Sequence, residues 1–338
     1  MTSSSKRVTV FIGPQFLAAL LSASSPIETL EWALSRSEQV GFDQSDFWRQ
    51  IYAFFATDMP PAGPAVGALR RIGEGANADA DGYLWMAVDP VFVTPNRDHL
   101  VVMPPQQLAI TYAEATVLVA ALNENFSVDG LHVEFQHPAR WYVRVDGSFE
   151  VLTTPLLQSV GRNVREVLPQ GVDARRWTRL WNEIQMVMHG SAVNQARERA
   201  RQPMVNSVWG WGLGRLPEVK QGAFDVCITD EPYVRGLAML AHCQVLSQET
   251  ALRQVSLGTR TLWVLEADHF QTLDPDACAT QCGRVVDGLV QQLKEKRVDE
   301  LDFVVGDFTY RLSRAGTRKF WRRRRPLLAW AGGVRKGE

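Results

Sequence analysis

Five side chains in the middle of the chain have the chemistry that binds small anions. Guanidinium groups bind phosphate or carboxylate through paired hydrogen bonds, and amide groups add further donors. If they converged in one pocket, they would bind a small phosphorylated or carboxylated metabolite. The alternative is structural, with asparagines that cap turns and arginines that form surface ion pairs. The residues are Arg97, Arg140, Asn194, Arg197 and Asn206.

A run of glycine and tryptophan follows these residues and extends the candidate site. Gly212 and Gly214 either let backbone amides approach an anion or turn the chain sharply. Trp211 either packs in a core or stacks on a ligand. All three are candidate ligand-binding residues.

Metal ligands are scarce in the sequence. Asp268, His269 and Asp302 are the weak candidates, and they are few for a metal site. Adjacent residues on a strand also point to opposite faces, which disfavours the first two as a pair. We therefore expect no metal cofactor, and we expect the four cysteines to be reduced structural thiols.

Composition excludes several classes of protein. The 36 Lys and Arg residues nearly balance the 37 Asp and Glu residues, which disfavours a general nucleic-acid binder. No apolar run approaches the roughly 20 residues that span a bilayer. Arg322 to Arg325, flanked by Phe320, Trp321 and Leu327, is either a solvated basic stretch or a contact for anionic lipid, nucleic acid or a protein partner. Val8 to Ile12 is typical of a buried strand and not of a signal peptide, so we expect a cytoplasmic protein.

The pattern of elements predicts two domains. Residues 83–215 are predicted as a small α+β unit, in which Thr111 to Glu114 forms a capping box at the start of a helix. Residues 1–82 and 216–338 alternate short apolar strands with helices, which is typical of a mixed or parallel α/β sheet. Met59 to Asn77 is predicted to be a loop or a domain boundary.

The segment from His189 to Gly214 reads HGSAVNQARERARQPMVNSVWGWGLG. It resembles the part of archaeal-type cofactor-independent phosphoglycerate mutases that reads H-P-V-N-x-x-R, then A-N-x-x-W-x-W-G-x-G. Together with LWNEIQMVMH and KFWRRRRPLL, it is most similar to bacterial regulatory proteins of the RpfE type. This resemblance implies an alkaline-phosphatase-like α/β core with a smaller inserted α+β domain. It also implies two metal ions for phosphoryl transfer and substrate-binding arginines at Arg97 and Arg140.

The sequence departs from that family where the first strand ends. The resemblance implies a metal-binding Asp after this strand, whereas Ile12 is followed here by Gly13 and Pro14. The sequence therefore predicts a regulatory pseudoenzyme that binds a small anionic metabolite. The alternative is an active mutase or phosphotransferase, dependent on Mn or Mg, whose metal ligands are rearranged.

Overall fold

The computed structural model describes residues 5–56, 58–77, 82–96, 99–253, 257–266 and 273–331. The strands in these residues are β1 (Arg7–Ile12), β2 (Glu38–Phe42), β3 (Leu84–Asn96), β4 (His99–Met103), β5 (Leu131–His137), β6 (Arg140–Val145), β7 (Ser207–Gly214), β8 (Val226–Ile228), β9 (Gln244–Leu246), β10 (Arg260–Leu265), β11 (Glu300–Val305) and β12 (Phe308–Ser313). The helices are α1 (Pro14–Ser22), α2 (Glu28–Arg36), α3 (Phe47–Phe55), α4 (Val66–Gly73), α5 (Tyr112–Phe126), α6 (Leu156–Ser159), α7 (Ala174–His189), α8 (Ala192–Arg199), α9 (Pro232–Leu240), α10 (Gln248–Arg253), α11 (Pro275–Lys294) and α12 (Arg314–Thr317).

Two compact units divide the chain. The first unit joins residues 1–58 to residues 219–338, and the second unit is residues 59–218. The segment that contains α4 groups with the second unit, since α4 packs on β3 and β7. Each unit has its own sheet and its own core.

The first unit is built on a seven-stranded sheet in the order β2-β12-β11-β1-β10-β8-β9. Strand β1 is parallel to β10 and β11, and β8 is parallel to β10 and β9. Strands β12 and β2 complete one edge in antiparallel pairing. Helices α1, α2 and α11 bury apolar side chains against one face, where Val10 and Leu30 share a core with Val286. The opposite face of β1 carries Phe11, whose ring lies 5.7 Å from that of Phe47 in α3.

The second unit is an antiparallel sheet with helices packed on it. Its strands follow the order β4-β3-β6-β5, and β7 also pairs with β3. Helix α5 packs on β5, and α7 packs on β7. The predicted fold class, a mixed and mostly parallel α/β sheet with a smaller α+β unit, is confirmed.

Local signals located many of the elements. The capping box of Thr111 and Glu114 is present, and α5 begins at the residue that it predicts. Asp46 caps α3 by accepting the backbone N–H of Arg49. Asp173 directly precedes α7, where its residue type favours an N-cap, but its carboxylate accepts the N–H of Glu150 and makes no cap. Capping signals therefore locate helix starts well, even where the capping side chain has another partner.

The structure differs from several expectations about elements. Met59 to Asn77 does begin at the boundary between the two units. It is not all loop, however, because it contains α4, a short helix buried against β3 and β7. The glycines at 212 and 214 lie inside β7 and do not form a turn. The sequence from Tyr233 to Leu246 favours a single helix, but α9 ends at Leu240, since the chain turns at His242 with φ of 55° and continues as β9.

No helix in the described part of the chain is long and apolar enough to cross a membrane. The four cysteines are buried and unpaired, as predicted. Burial raises the pKa of Cys282 to about 12, which keeps this thiol protonated at neutral pH.

Candidate functional site

The carboxyl ends of the parallel strands meet at one edge of the first unit's sheet. This edge is where open α/β sheets usually bind ligands. Helix α1 begins there, directly after β1, so its first backbone amides point toward the same edge. Free amides at a helix N-terminus favour an anion such as phosphate. The chemistry of this edge therefore depends on what occupies the start of α1.

A carboxylate of the protein occupies the start of α1. Glu266, the residue after β10, accepts hydrogen bonds from the backbone N–H groups of Gln15 and Phe16, each at 3.2 Å. Its side chain is only 1% exposed. Helix α1 has no acidic residue in its first turn, and Gly13 offers no capping side chain. Glu266 supplies the missing cap from a neighbouring strand.

Gly13 is required by this arrangement. A Cβ atom at residue 13 would overlap the carboxylate of Glu266. The backbone at Gly13 has φ of −68°, so its conformation is open to any residue and only the space is restricted. In the sequence alone, Gly13 indicates only an interruption after the first strand. Helix α1 begins with Pro14, has no acidic residue in its first turn and is preceded by a glycine. This combination was the available sign that a side chain from elsewhere in the chain caps the helix.

Two further acids follow β8 at the same edge, and both are engaged. Asp230 accepts the backbone N–H of Gln248 at 3.3 Å, and burial raises the pKa of this carboxyl group. Glu231 caps α9 by accepting the N–H of Tyr233 at 3.3 Å. These carboxylates hold loops and helix ends in place.

The weak metal candidates do not form a site in the described residues. Asp302 lies within β11 and forms a bidentate ion pair with Arg311 of β12, at 2.7 and 2.9 Å. This ion pair raises the pKa of Arg311. Asp268 and His269 lie outside the described residues. Among the residues that the structure describes, no three His, Cys, Asp or Glu side chains group in a way that could hold a metal ion. These residues therefore do not fit a pair of metal ions.

In the second unit, Arg140 is part of a buried ion pair. Its guanidinium donates to Glu74, which also accepts the hydroxyl of Tyr142 at 2.8 Å. The side chains of Arg140 and Glu74 are both nearly buried. The guanidinium that was predicted to bind a ligand thus faces a carboxylate of the protein.

Trp211 belongs to a second buried ion pair nearby. Its indole N–H donates to Asp89 at 2.7 Å, and Arg70 donates to the same oxygen atom at 3.2 Å. Burial raises the pKa of Asp89, while Arg70 and the indole N–H oppose that rise. Arg140 also acts electrostatically on Asp89 and on Tyr142. The structure therefore brings Arg140 and Trp211 into one buried charge cluster, made of Arg70, Glu74, Asp89, Arg140, Tyr142 and Trp211.

Arg197 is bound on every side by protein atoms. It forms a bidentate ion pair with Glu114 at 2.7 and 2.9 Å, and it donates to the carbonyl oxygens of Leu108 and Pro203. The hydrogen bond from Arg197, with others from Thr111, lowers the pKa of Glu114 to about 2. One acid thus caps α5 and neutralises an arginine of α8.

The two candidate asparagines hold the backbone around β7. Asn194 donates to the carbonyl oxygens of Met188 and Val205 and accepts the N–H of Val205, all within 2.8 Å. Asn206 donates to the carbonyl of Val93 and accepts the N–H of the same residue. Their amides replace backbone hydrogen bonds where regular pairing stops.

The candidate glycines let α4 approach β7. A Cβ atom on Gly212 would lie 2.7 Å from the Cβ of Val66, and one on Gly214 would lie 2.6 Å from that of Ala65. Gly212 also has φ of 65°, which favours glycine. These two glycines serve packing in the described structure.

The structure thus separates the predicted ligand-binding residues into two groups. Arg140 and Trp211 lie in the buried charge cluster, and the other group, near the α8–β7 junction, contains Asn194, Arg197 and Asn206. Arg97 lies outside the described residues. The acids that sequence reasoning missed are Glu74, Asp89, Glu114 as an ion-pair partner, and Glu266. The local sequence around these acids gives no sign of a partner that is distant in the chain. A ligand-binding role for the predicted arginines, asparagines, glycines and tryptophan stays a prediction.

Comparison with known proteins gives a distant relationship. No protein-family model matches the chain. Over 204 residues the chain is 26% identical to a Geobacter sulfurreducens protein described as a probable 2,3-bisphosphoglycerate-independent phosphoglycerate mutase. This match covers 56% of the chain and spans only half the length of that curated relative.

Two solved structures are similar over most of the chain. The PH0037 protein from Pyrococcus horikoshii has a TM-score of 0.54 at 12% identity, with 91% of this chain and 87% of that chain covered. The cofactor-independent phosphoglycerate mutase from Thermoplasma acidophilum has a TM-score of 0.48 at 14% identity, with 91% and 89% covered. The likeness to PH0037 supports the fold. The predicted relationship to phosphoglycerate mutases is confirmed at the level of homology by the Geobacter match.

Proposed function

We propose that this chain is a phosphoglycerate-mutase-like regulatory protein that acts by binding and not by phosphoryl transfer. The observation that carries the proposal is the carboxylate of Glu266 at the N-terminus of α1. An incoming phosphate would meet a negative charge there instead of free amides. At the carboxyl edge of this sheet, an occupied helix N-terminus favours a binding protein over a phosphoryl-transfer enzyme.

The other acids of this edge, and Asp302 within β11, support the same proposal. Metal-assisted phosphoryl transfer needs carboxylates that converge on metal ions and leave room for the reacting oxygens. Asp230 and Glu231 instead hold backbone N–H groups, and Asp302 is neutralised by Arg311. In this proposal the protein is of the RpfE type, works in the bacterial cytoplasm and needs no metal cofactor.

The ligand in this proposal is a small metabolite with a phosphate or carboxylate group. Both arginines are buried, but Glu114, the partner of Arg197, is 23% exposed, whereas Glu74, the partner of Arg140, is 5% exposed. A ligand can therefore reach Arg197 from the side of Glu114. A ligand anion would replace the carboxylate of Glu114 and keep the same bidentate geometry. Arg197 is then the anchor of the ligand and Glu114 is its competitor.

Calorimetric titration with 3-phosphoglycerate, phosphoserine and homoserine phosphate tests this proposal. We expect one of these anions to bind, and Glu114→Gln to strengthen that binding several-fold because the competing charge is removed. Arg179→Gln, at an exposed ion pair with Glu183, is the matched control and should bind as the unmodified chain does. No heat with any of the three anions, for a chain that thermal unfolding shows to be folded, contradicts the proposed ligand class.

One observation favours a second function. The Geobacter relative is described as a probable mutase, and its match covers about half of each chain. An active, metal-dependent enzyme would need ligands from Asp268 and His269, together with other carboxylates. Metal analysis of the purified chain distinguishes the two functions, since stoichiometric Mn or Zn that is lost in His269→Ala would support the enzyme.

A further inference from the structure

A short basic and aromatic surface lies on the first unit, directly after α12. Residues 318–325, here named the basic ridge, contain six Lys or Arg residues, two aromatic residues and no acid. Phe320 is 84% exposed and Trp321 is 66% exposed. Their rings lie 5.3 Å apart in an edge-to-face arrangement. Two large apolar rings thus stand together in water, surrounded by positive charge.

Both ends of the basic ridge are fixed to its own unit. Lys319 pairs with Glu38 at 2.6 Å, and Arg324 pairs with Glu28 at 2.7 Å. The backbone N–H of Arg325 donates to the hydroxyl of Ser35 at 3.0 Å. The tip that carries the two rings is therefore held in place before any partner binds, which lowers the entropy lost on binding.

Four arginines of the basic ridge form no ion pair with any residue that the structure describes. Arg322 donates to the backbone carbonyl of Ser37 at 2.8 Å, and its charge acts at longer range on Glu38, which is already paired with Lys319. Lys319 and Arg324 are already paired, so the charge available to a partner comes from Arg318, Arg322, Arg323 and Arg325. The guanidinium of Arg325 lies 4.9 Å from the ring centroid of Trp330.

We infer that the basic ridge docks the protein on an anionic lipid surface. Aromatic rings next to arginines suit the boundary between headgroups and acyl chains, where rings enter and guanidinium groups meet lipid phosphates. A protein partner of ordinary affinity needs roughly 800 Å² from each side and a pocket shaped for the rings. A bilayer needs no such pocket and accepts a narrow tip. The charge and the shape of the ridge together favour lipid.

Flotation with vesicles tests this inference on the full chain. One set of vesicles is phosphatidylcholine alone, and the other contains 30% phosphatidylglycerol. We expect binding to the anionic set only, and loss of binding in 1 M salt, where the screening length is about 3 Å. Each arginine near an anionic surface contributes about a fivefold effect, so the triple variant Arg318→Gln, Arg322→Gln, Arg323→Gln should bind roughly 100-fold more weakly.

The rings are tested separately from the charges. Phe320→Ser with Trp321→Ser should weaken vesicle binding by about tenfold or more, because the apolar area that enters the interface is lost. Val172→Ser with Met186→Ser removes two other highly exposed apolar side chains and should have no effect. All of these residues are exposed, so the variants should fold, and thermal unfolding checks that they do.

Three outcomes would overturn the inference. The first is no binding to anionic vesicles at low salt. The second is equal loss of binding in the ridge variants and in the Val172 and Met186 control. The third is tight, ridge-dependent binding to polyglutamate or single-stranded DNA without binding to vesicles, which would assign the ridge to an acidic macromolecule. None of these outcomes depends on whether the chain is catalytic.

Discussion

The carboxylate of Glu266 fills the space where a side chain on Gly13 would begin. The same carboxylate accepts two backbone amides at the start of α1, so the two residues together close this end of β1. A helix N-terminus that would otherwise bind an external anion is satisfied from within. Gly13 and Glu266 are therefore coupled, and the coupling can be measured as an unfolding free energy.

Gly13→Ala should destabilise the first unit by about 1 to 3 kcal/mol, because the added methyl group displaces the buried carboxylate. In a Glu266→Ala background the same substitution should cost little, since φ at residue 13 suits alanine and the overlap is gone. Urea unfolding of both single variants and the double variant gives the coupling energy. Strictly additive losses would mean that the two side chains do not compete for space.

Arg197→Ala should lower the free energy of unfolding by about 3 to 5 kcal/mol, because Glu114 and two carbonyl oxygens lose a buried cation. The control is Arg179→Ala, which breaks an exposed ion pair with Glu183 and should cost less than about 1 kcal/mol. Chemical denaturation compares the two variants. A similarly small loss of unfolding free energy in both variants would contradict a stabilising buried ion pair between Arg197 and Glu114.

The Glu114 ion pair predicts a loss of stability in acid. The folded-state pKa of Glu114 is about 2 and its ordinary value is 4.5, so the carboxylate stabilises the fold fully above pH 4.5. That contribution should disappear as the pH falls from 4.5 toward 2. Urea unfolding at pH 6, 5, 4 and 3 should show the gap between the unmodified chain and Glu114→Gln narrowing. A gap that is constant with pH would show that the ion pair does not lower this pKa.

Two glycines in helices predict opposite effects of alanine. A Cβ atom on Gly67 of α4 would lie 2.5 Å from the backbone nitrogen of Ala87 in β3, so Gly67→Ala should destabilise the second unit by about 1 to 3 kcal/mol. Gly288 of α11 has open space around it, so Gly288→Ala should stabilise the first unit by about 0.5 to 1 kcal/mol. Thermal unfolding measures both. If both alanine substitutions changed the stability in the same direction, the result would contradict the close approach of α4 to β3.

The sequence predicted elements that carry local signals. Thr111 and Glu114 lie three residues apart, so their capping box is visible without the fold. Strand β2 was missed because most of its residues are exposed, and its identity comes from pairing with β12. Helix α4 was missed because it is short and contains two glycines, and its burial depends on partners that follow it in the chain.

The candidate site was predicted only by residue type. Arg140 and Arg197 were identified as anion-binding groups, and both do bind carboxylates, but these belong to Glu74 and Glu114. Those acids are 66 and 83 residues away in sequence, so no spacing rule connects them to the arginines. A guanidinium that will meet a ligand and one that will meet a distant glutamate look the same in a single sequence.

A mutase assay with 2- and 3-phosphoglycerate, in Mn²⁺, Mg²⁺, Co²⁺ and Zn²⁺ separately, tests the central claim most directly. The Geobacter relative, assayed in parallel, serves as the comparison protein. The account predicts no interconversion by this chain above the blank in any of the four metals. Metal-dependent turnover that is lost in Asp268→Ala or His269→Ala would contradict it.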